Sequence, residues 1–199
     1  RKLFPSMILE PTRLRYDQET PQNRISEPGE SNWAELRDAQ LQTISIPKTS
    51  MAITIDLGDE RDIHPKNIQG VGHRLSLLAL RDVYGKSLEA RGPVYSAQKV
   101  RWGKIHLSFT HVGEGLTTTD GWEPVGFSIA RSDGKFHWAK AKIKSNRVIV
   151  SSPQVRNPVA VRYAWSANPD CILTNSSGIP ASPFIQIIGK TRCIRAVRK

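Results

Sequence analysis

The hydrophobic period of this chain changes once, near residue 92, and that change confines it to two kinds of layer joined in series. Before the change, Met51-Ala52-Ile53-Thr54-Ile55-Asp56 is short, β-branched and apolar at successive positions. That is the composition of a strand buried on both faces. Residues 58–64 read as a loop, Pro65 suits a first helical position, and Ile68, Val71, Leu75, Leu78 and Ala79 then recur at helical spacing until Gly85. Upstream, Asn32 followed by Glu35 matches a capping arrangement and opens a short helix that ends before Pro47. Helix, buried strand, loop, helix is α/β grammar, in which loops leaving the carboxyl ends of strands carry the chemistry.

Beyond residue 92 the period is two. Ile105, Leu107 and Phe109 alternate, as do Val148 and Val150, and again Val159, Val161, Tyr163 and Trp165. Turn signals at Asp120-Gly121 and Asp133-Gly134 make this half an antiparallel, β-sandwich-like unit. The expected fold class is therefore α/β followed by all-β. Residues 1–27, with Pro5, Pro11 and Pro21 among charges, read as an irregular lead-in, residues 28–90 as the α/β part, 91–184 as the β part, and 185–199 as a basic tail. There is no internal repeat.

With 199 residues, 38% of them hydrophobic, the chain can bury a substantial core. Its formal net charge of +11 raises polyanions as partners, so the location of the charge matters. Residues 1–15 carry a net +3 and residues 190–199 a net +5, which leaves +3 across residues 16–189. Basicity reads as a property of the tails, and no nucleic-acid partner is expected. No apolar run reaches the roughly 18 to 20 residues of a membrane span, so no membrane partner is expected either. Cys171 and Cys193 allow at most one disulfide and lack the paired spacing of a zinc site.

The richest chemical segment is Asp56-Leu57-Gly58-Asp59-Glu60-Arg61-Asp62-Ile63-His64-Pro65, which sets acids and a histidine behind the buried strand. A histidine can take a proton from a serine hydroxyl and return it to a leaving alcohol, while a carboxylate holds its tautomer. Asp62 and His64 have the chemistry for those two roles. From spacing alone, a solvated acidic loop ahead of a helix N-terminus is the stronger account.

Several ordered blocks change that weighting. Ser31-Asn32-Trp33-Ala34-Glu35-Leu36-Arg37-Asp38-Ala39-Gln40, Met51 to Asp59 and Asp62-Ile63-His64-Pro65-Lys66-Asn67 come first. Gly92-Pro93-Val94-Tyr95, Ser108 to Gly113, Val159 to Trp165 and Gly178 to Phe184 follow in order. Together they resemble the C-terminal part of sialate O-acetylesterases, which are SGNH-type hydrolases, over roughly residues 28–184.

The resemblance implies the closing elements of an SGNH-hydrolase α/β domain plus a β-sandwich-like accessory region. It also implies a carboxylic ester hydrolase that removes O-acetyl groups from sialic acid or other acetylated carbohydrates, with no cofactor and no metal. A secreted or periplasmic location goes with it. By the same resemblance His64 matches the catalytic histidine and Asp62 the acid before it. Such hydrolases commonly place that acid three residues ahead of the histidine, where this chain has Arg61.

Gly29-Glu30-Ser31-Asn32 looks like the family's Gly-Glu-Ser-Asn serine signature. Residues 17–28 are polar and proline-interrupted, however, and a nucleophile elbow needs a buried strand there. Ser31 is accordingly read as a helix-cap residue, and the nucleophile is expected on an upstream catalytic segment. His73, His106 and His137 are expected to be structural or on the surface. His111 is a strand-end residue with a site-lining alternative. Trp102, Trp122, Trp138 and Trp165 are expected in the core. The alternative function is a non-catalytic carbohydrate-binding β-domain.

Overall fold

The computed structural model describes the backbone of residues 6–9 and all of residues 28–58, 66–170 and 173–188. The first half contains strand β1 (Ser6–Leu9), helix α1 (Asn32–Gln42) with a 3-10 turn at Thr43–Ser45, strand β2 (Thr49–Ala52) and helix α2 (Ile68–Asp82). β1 pairs with β2 in parallel, Ser6 opposite Thr49 through Leu9 opposite Ala52. Four residues of the expected irregular lead-in thus form a strand. A run of that length is too short to display a period, so only its partner reveals it.

Helix α1 starts one residue earlier than the Asn32 cap suggested. Ser31 is the N-cap, its hydroxyl accepting from the Ala34 amide at 3.4 Å. The buried side of α1 is polar at its centre. Arg37, 1% exposed, donates from both terminal nitrogens to the carbonyls of Ser166 and Ala167, each at 2.7 Å, and so pins α1 to the β half. On α2, Leu78 is buried and packs with Leu75 and Leu77 against Ala52 and Ala90. Ile68, expected on the same stripe, is 71% exposed.

The β half comprises β3 (Val94–Arg101), β4 (Lys104–Thr110), β5 (Leu116–Thr118), β6 (Phe127–Ala130), β7 (Phe136–Trp138), β8 (Lys140–Ile143), β9 (Arg147–Ser151), β10 (Ala160–Tyr163), β11 (Leu173–Asn175) and β12 (Phe184–Ile187). One four-stranded antiparallel sheet runs β3-β4-β9-β8, the other β12-β10-β6-β7, and β5 pairs with β11 beside them. The period-two reading is realised on two strands: Ile105, Leu107 and Phe109 face inward from β4, and Val148 and Val150 from β9, whereas β10 is buried at every position, Arg162 included. Gly134 sits at φ 76° between β6 and β7, and Asp133 accepts from the Lys135 amide at 3.0 Å, as an Asp-Gly turn requires.

Facing rings join the two sheets. Phe184 of β12 lies 5.0 Å from Tyr95 of β3 and 6.0 Å from Phe109 of β4, centroid to centroid. Tyr163 of β10 stands 4.6 Å from Phe127 of β6. The fully buried rings of the core are Phe and Tyr, whereas Trp102 and Trp122, expected inside, are 90% and 77% exposed. The same apolar cluster includes Met51, Ile53 and Ile55, so it runs across the boundary expected at residues 90 and 91.

Asn175 is the polar counterpart of that cluster. Fully buried, it donates to the carbonyls of Arg91 at 2.9 Å and His111 at 3.0 Å, and accepts from the amides of Ser177 at 3.1 Å and Ile179 at 3.0 Å. Removing it strands main-chain groups from three segments, at about 1 to 3 kcal/mol for each buried group left unpaired. Asn175→Ala is expected to lower the urea-unfolding free energy by about 2 to 4 kcal/mol. A loss below about 0.5 kcal/mol, the range of ordinary surface changes, would contradict this role.

Candidate functional site

His64 and Asp62 lie outside the described residues, as do Pro65 and the two cysteines. The described chain approaches that segment from both sides. After β2, Ile53, Thr54 and Ile55 remain buried, and the Leu57 amide closes a turn onto the Thr54 carbonyl at 3.0 Å. Asp56 projects from this turn to Arg74 of α2. The guanidinium meets both carboxylate oxygens, Nη1 to Oδ1 at 2.5 Å and Nη2 to Oδ2 at 2.6 Å, while Nη1 also donates to the Ile53 carbonyl at 2.6 Å. Paired parallel bonds fix orientation as well as distance, because two planar groups are held edge to edge. On the far side, Asn67 caps α2 by accepting from the Gly70 amide at 2.9 Å. The segment with His64 and Asp62 therefore connects two anchored ends, a strand end tied to α2 and the capped start of α2.

A shallow cleft lies beside the Arg74 anchor. Leu41 and Ile44 line it from the α1 side, Met51 to Ile53 from the strand, Arg74 from α2, and Ala90 to Gly92, Ile179 and Ser182 from the β half. Gly92 is required in this wall, since a Cβ there would stand 1.8 Å from the Pro180 carbonyl oxygen. Its walls are apolar apart from two guanidinium groups, Arg74, which Asp56 holds, and Arg91.

A second polar cluster adjoins the wall. Buried Ser50 donates to Asp82, whose carboxylate also receives Arg81 at 2.6 and 2.9 Å, and Arg91 reaches the Ser50 hydroxyl at 3.3 Å. The Arg81 hydrogen bond is the main cause holding the Asp82 carboxyl below its ordinary 3.8, against the opposing effect of burial. Burial pushes Arg91 down from its ordinary value. Among the described residues, the side-chain partners of Ser50 are the Asp82 carboxylate and the Arg91 guanidinium.

Ser31 is buried at its cap position. His111, at φ 55°, sets Nδ1 3.3 Å from the Glu89 carboxylate, and its carbonyl shares Asn175 with that of Arg91 in the cleft wall. His73 is exposed on α2, and His106 and His137 are half-buried on strands. Among the described residues no group of acids, histidines or cysteines could hold a metal ion, and no helix is long and apolar enough to cross a membrane. The Asp56–Arg74 anchor and the Ser50–Asp82–Arg91 cluster escaped sequence reading, since each joins residues far apart in the chain.

No family model matches the sequence, and no curated protein matches it. The chain is similar to a crystal structure of a carbohydrate acetylesterase from Xanthomonas citri, with 39% identity and a TM-score of 0.82. The similarity covers 92% of this chain and 41% of that one, so the chain spans about two-fifths of the length of its neighbour.

The depressed Asp82 carboxyl gives a pH signature. A carboxyl lowered in the folded state stabilises it above the ordinary value of 3.8, and that contribution fades as pH falls through and below it. Asp82→Asn should cost stability near neutrality and flatten the acid limb below about pH 4, measured by urea unfolding at stepped pH. An acid limb as steep as wild type would show that Asp82 is not one of the groups whose protonation drives it.

Proposed function

We propose that this chain is the histidine-bearing part of a serine-type carbohydrate O-acetylesterase of the SGNH, sialate O-acetylesterase-like kind. The observation that carries the reading is the likeness to the Xanthomonas citri carbohydrate acetylesterase, which extends through both halves of the described fold. The substrate is an O-acetylated sialic acid or a related acetylated sugar. Support for the histidine's location comes from the anchored ends that flank residues 59–65.

In this reading a serine on an upstream catalytic segment attacks the acetyl carbonyl, and His64 takes the hydroxyl proton. Asp62 holds the His64 tautomer and stabilises the imidazolium. His64 then gives the proton to the departing sugar oxygen, leaving an acetyl-serine. Water, deprotonated by His64, attacks that ester and releases acetate, and the serine recovers its proton. No metal or organic cofactor enters any of these steps. The proposed location is secreted or periplasmic.

A second reading, a carbohydrate-binding β-domain without catalysis, draws on the exposure of Trp102 and Trp122. Polysaccharide binding that is lost on replacing Trp102 or Trp122, with no acetate released even when the chain is combined with the upstream segment, would favour it.

The test is release of acetate from O-acetylated sialic acid. The 199-residue chain alone is expected to show little or no turnover. Together with the upstream segment it is expected to hydrolyse the ester, and His64→Ala should reduce kcat by about 1,000-fold or more, given the general-base and nucleophile-activating roles assigned to it. Robust turnover by the chain alone, lost on Ser31→Ala, would overturn the assignment of Ser31 to the helix cap.

A further inference from the structure

We propose that the outer face of the β3-β4-β9-β8 sheet is a docking surface for a polysaccharide that carries carboxylates, such as a chain of sialic or uronic acids. The inference rests on the carbohydrate reading above and narrows its substrate class. The inner face of the sheet is the core, contributed by Ile105, Leu107, Val148, Val150 and Ala141. Strand alternation then sends the intervening residues outward.

Register assembles those outward residues into rows. Lys99 lies opposite His106, His106 opposite Ile149, and Ile149 opposite Lys142, so one row crosses all four strands. Arg101 lies opposite Lys104. Lys140 faces Ser151, and Arg147 faces Ser108. Strands are about 4.8 Å apart and same-face residues about 7 Å apart along a strand, which spreads the six cations over a patch about 15 Å wide. Among the described residues the carboxylate that pairs with any of them is Glu123, 2.9 Å from Lys142. Folding thus concentrates positive charge that is dispersed along the sequence between residues 99 and 147.

Trp102 stands at the end of this face, between Arg101 and Lys104. Trp102 at φ 48° and Gly103 at φ 72° form the two left-handed positions of the β3–β4 turn, where Asn-Gly is the usual occupant. A bulky residue is disfavoured at positive φ, and a ring that is 90% exposed recovers nothing by burial. The ring is free to lie against a sugar face while the flanking cations meet carboxylates.

A four-stranded face about 15 Å wide is too broad for the major groove of DNA, which is about 12 Å wide and is read by a helix or a two-stranded ribbon. Sheets that bind single-stranded RNA stack bases on aromatic residues of the sheet itself, whereas these rows carry Lys, Arg, Ser and Ile beside a single imidazole.

The experiment measures binding of the full chain to polygalacturonate and to oligomeric sialic acid, with dextran, duplex DNA and phosphatidylserine vesicles as comparators. The chain is expected to bind both acidic glycans and not dextran, with affinity falling about tenfold or more between about 50 and 500 mM salt. Lys99→Gln with Arg101→Gln and Lys104→Gln should weaken binding at least about tenfold while preserving the circular dichroism spectrum, and Trp102→Ala about fivefold.

Undiminished binding by a folded triple variant would overturn the proposal. So would equal or tighter binding to DNA or vesicles, or loss of binding when Arg195, Arg198 and Lys199 are neutralised instead. Acetate release by the complemented enzyme is scored separately. Hydrolysis without glycan binding refutes the surface alone, and glycan binding without hydrolysis refutes the esterase reading alone.

Discussion

The structure depends on one continuous apolar cluster in which Met51, Ile53 and Ile55, at and beyond the end of β2, share a core with both sheets of the sandwich. A short parallel pair such as β1 and β2 has little apolar surface of its own to bury. In one cluster with Phe109, Tyr163 and Phe184, its extension becomes part of a much larger interior. The segment proposed to carry the chemistry follows from this point, and the described turn at its start shares the core of the sandwich. Rigid support beneath a reactive loop is what a preorganised site requires.

Three buried or half-buried polar side chains then set the orientation of what the core holds. Arg37 ties α1 to the Ser166 and Ala167 carbonyls, Asn175 satisfies groups from three segments, and Arg74 clamps the turn at Asp56. Hydrophobic contact is non-directional, whereas these groups accept only narrow geometries. The cleft shared by Arg74, Arg91 and Gly92 is bounded by residues these ties control.

The period-two runs around Ile105 and Val148 and the Asp133-Gly134 turn were legible because strand alternation and positive-φ turns are local properties. The N-cap shifted from Asn32 to Ser31 because both residues can cap and only the hydrogen bond decides between them. Strand β1 was hidden by its length, and the exposed positions of Trp102 and Trp122 by the usual burial of aromatic rings. Charge was the deepest omission. Read along the chain, cations gather at the tails, yet Lys99, Lys104, Arg147 and Lys142 converge through strand register. Register is a property of pairs of strands, and no window along one strand contains it. The candidate residues His64 and Asp62 came from family-like blocks, and the fold contributes the anchored ends on either side of them.

A serine-type esterase divides its work between a nucleophile and an imidazole that need not be near in sequence. The proposed imidazole is that of His64 and the proposed nucleophile lies on an upstream segment, while Ser31 caps α1. The most direct measurement is covalent: the chain is combined with its upstream segment, treated with an alkyl fluorophosphonate, digested, and the adduct located by mass spectrometry. The account predicts an adduct on a serine of the upstream segment that forms at wild-type His64 and is lost on His64→Ala. An adduct on Ser31, or one indifferent to His64, would contradict it.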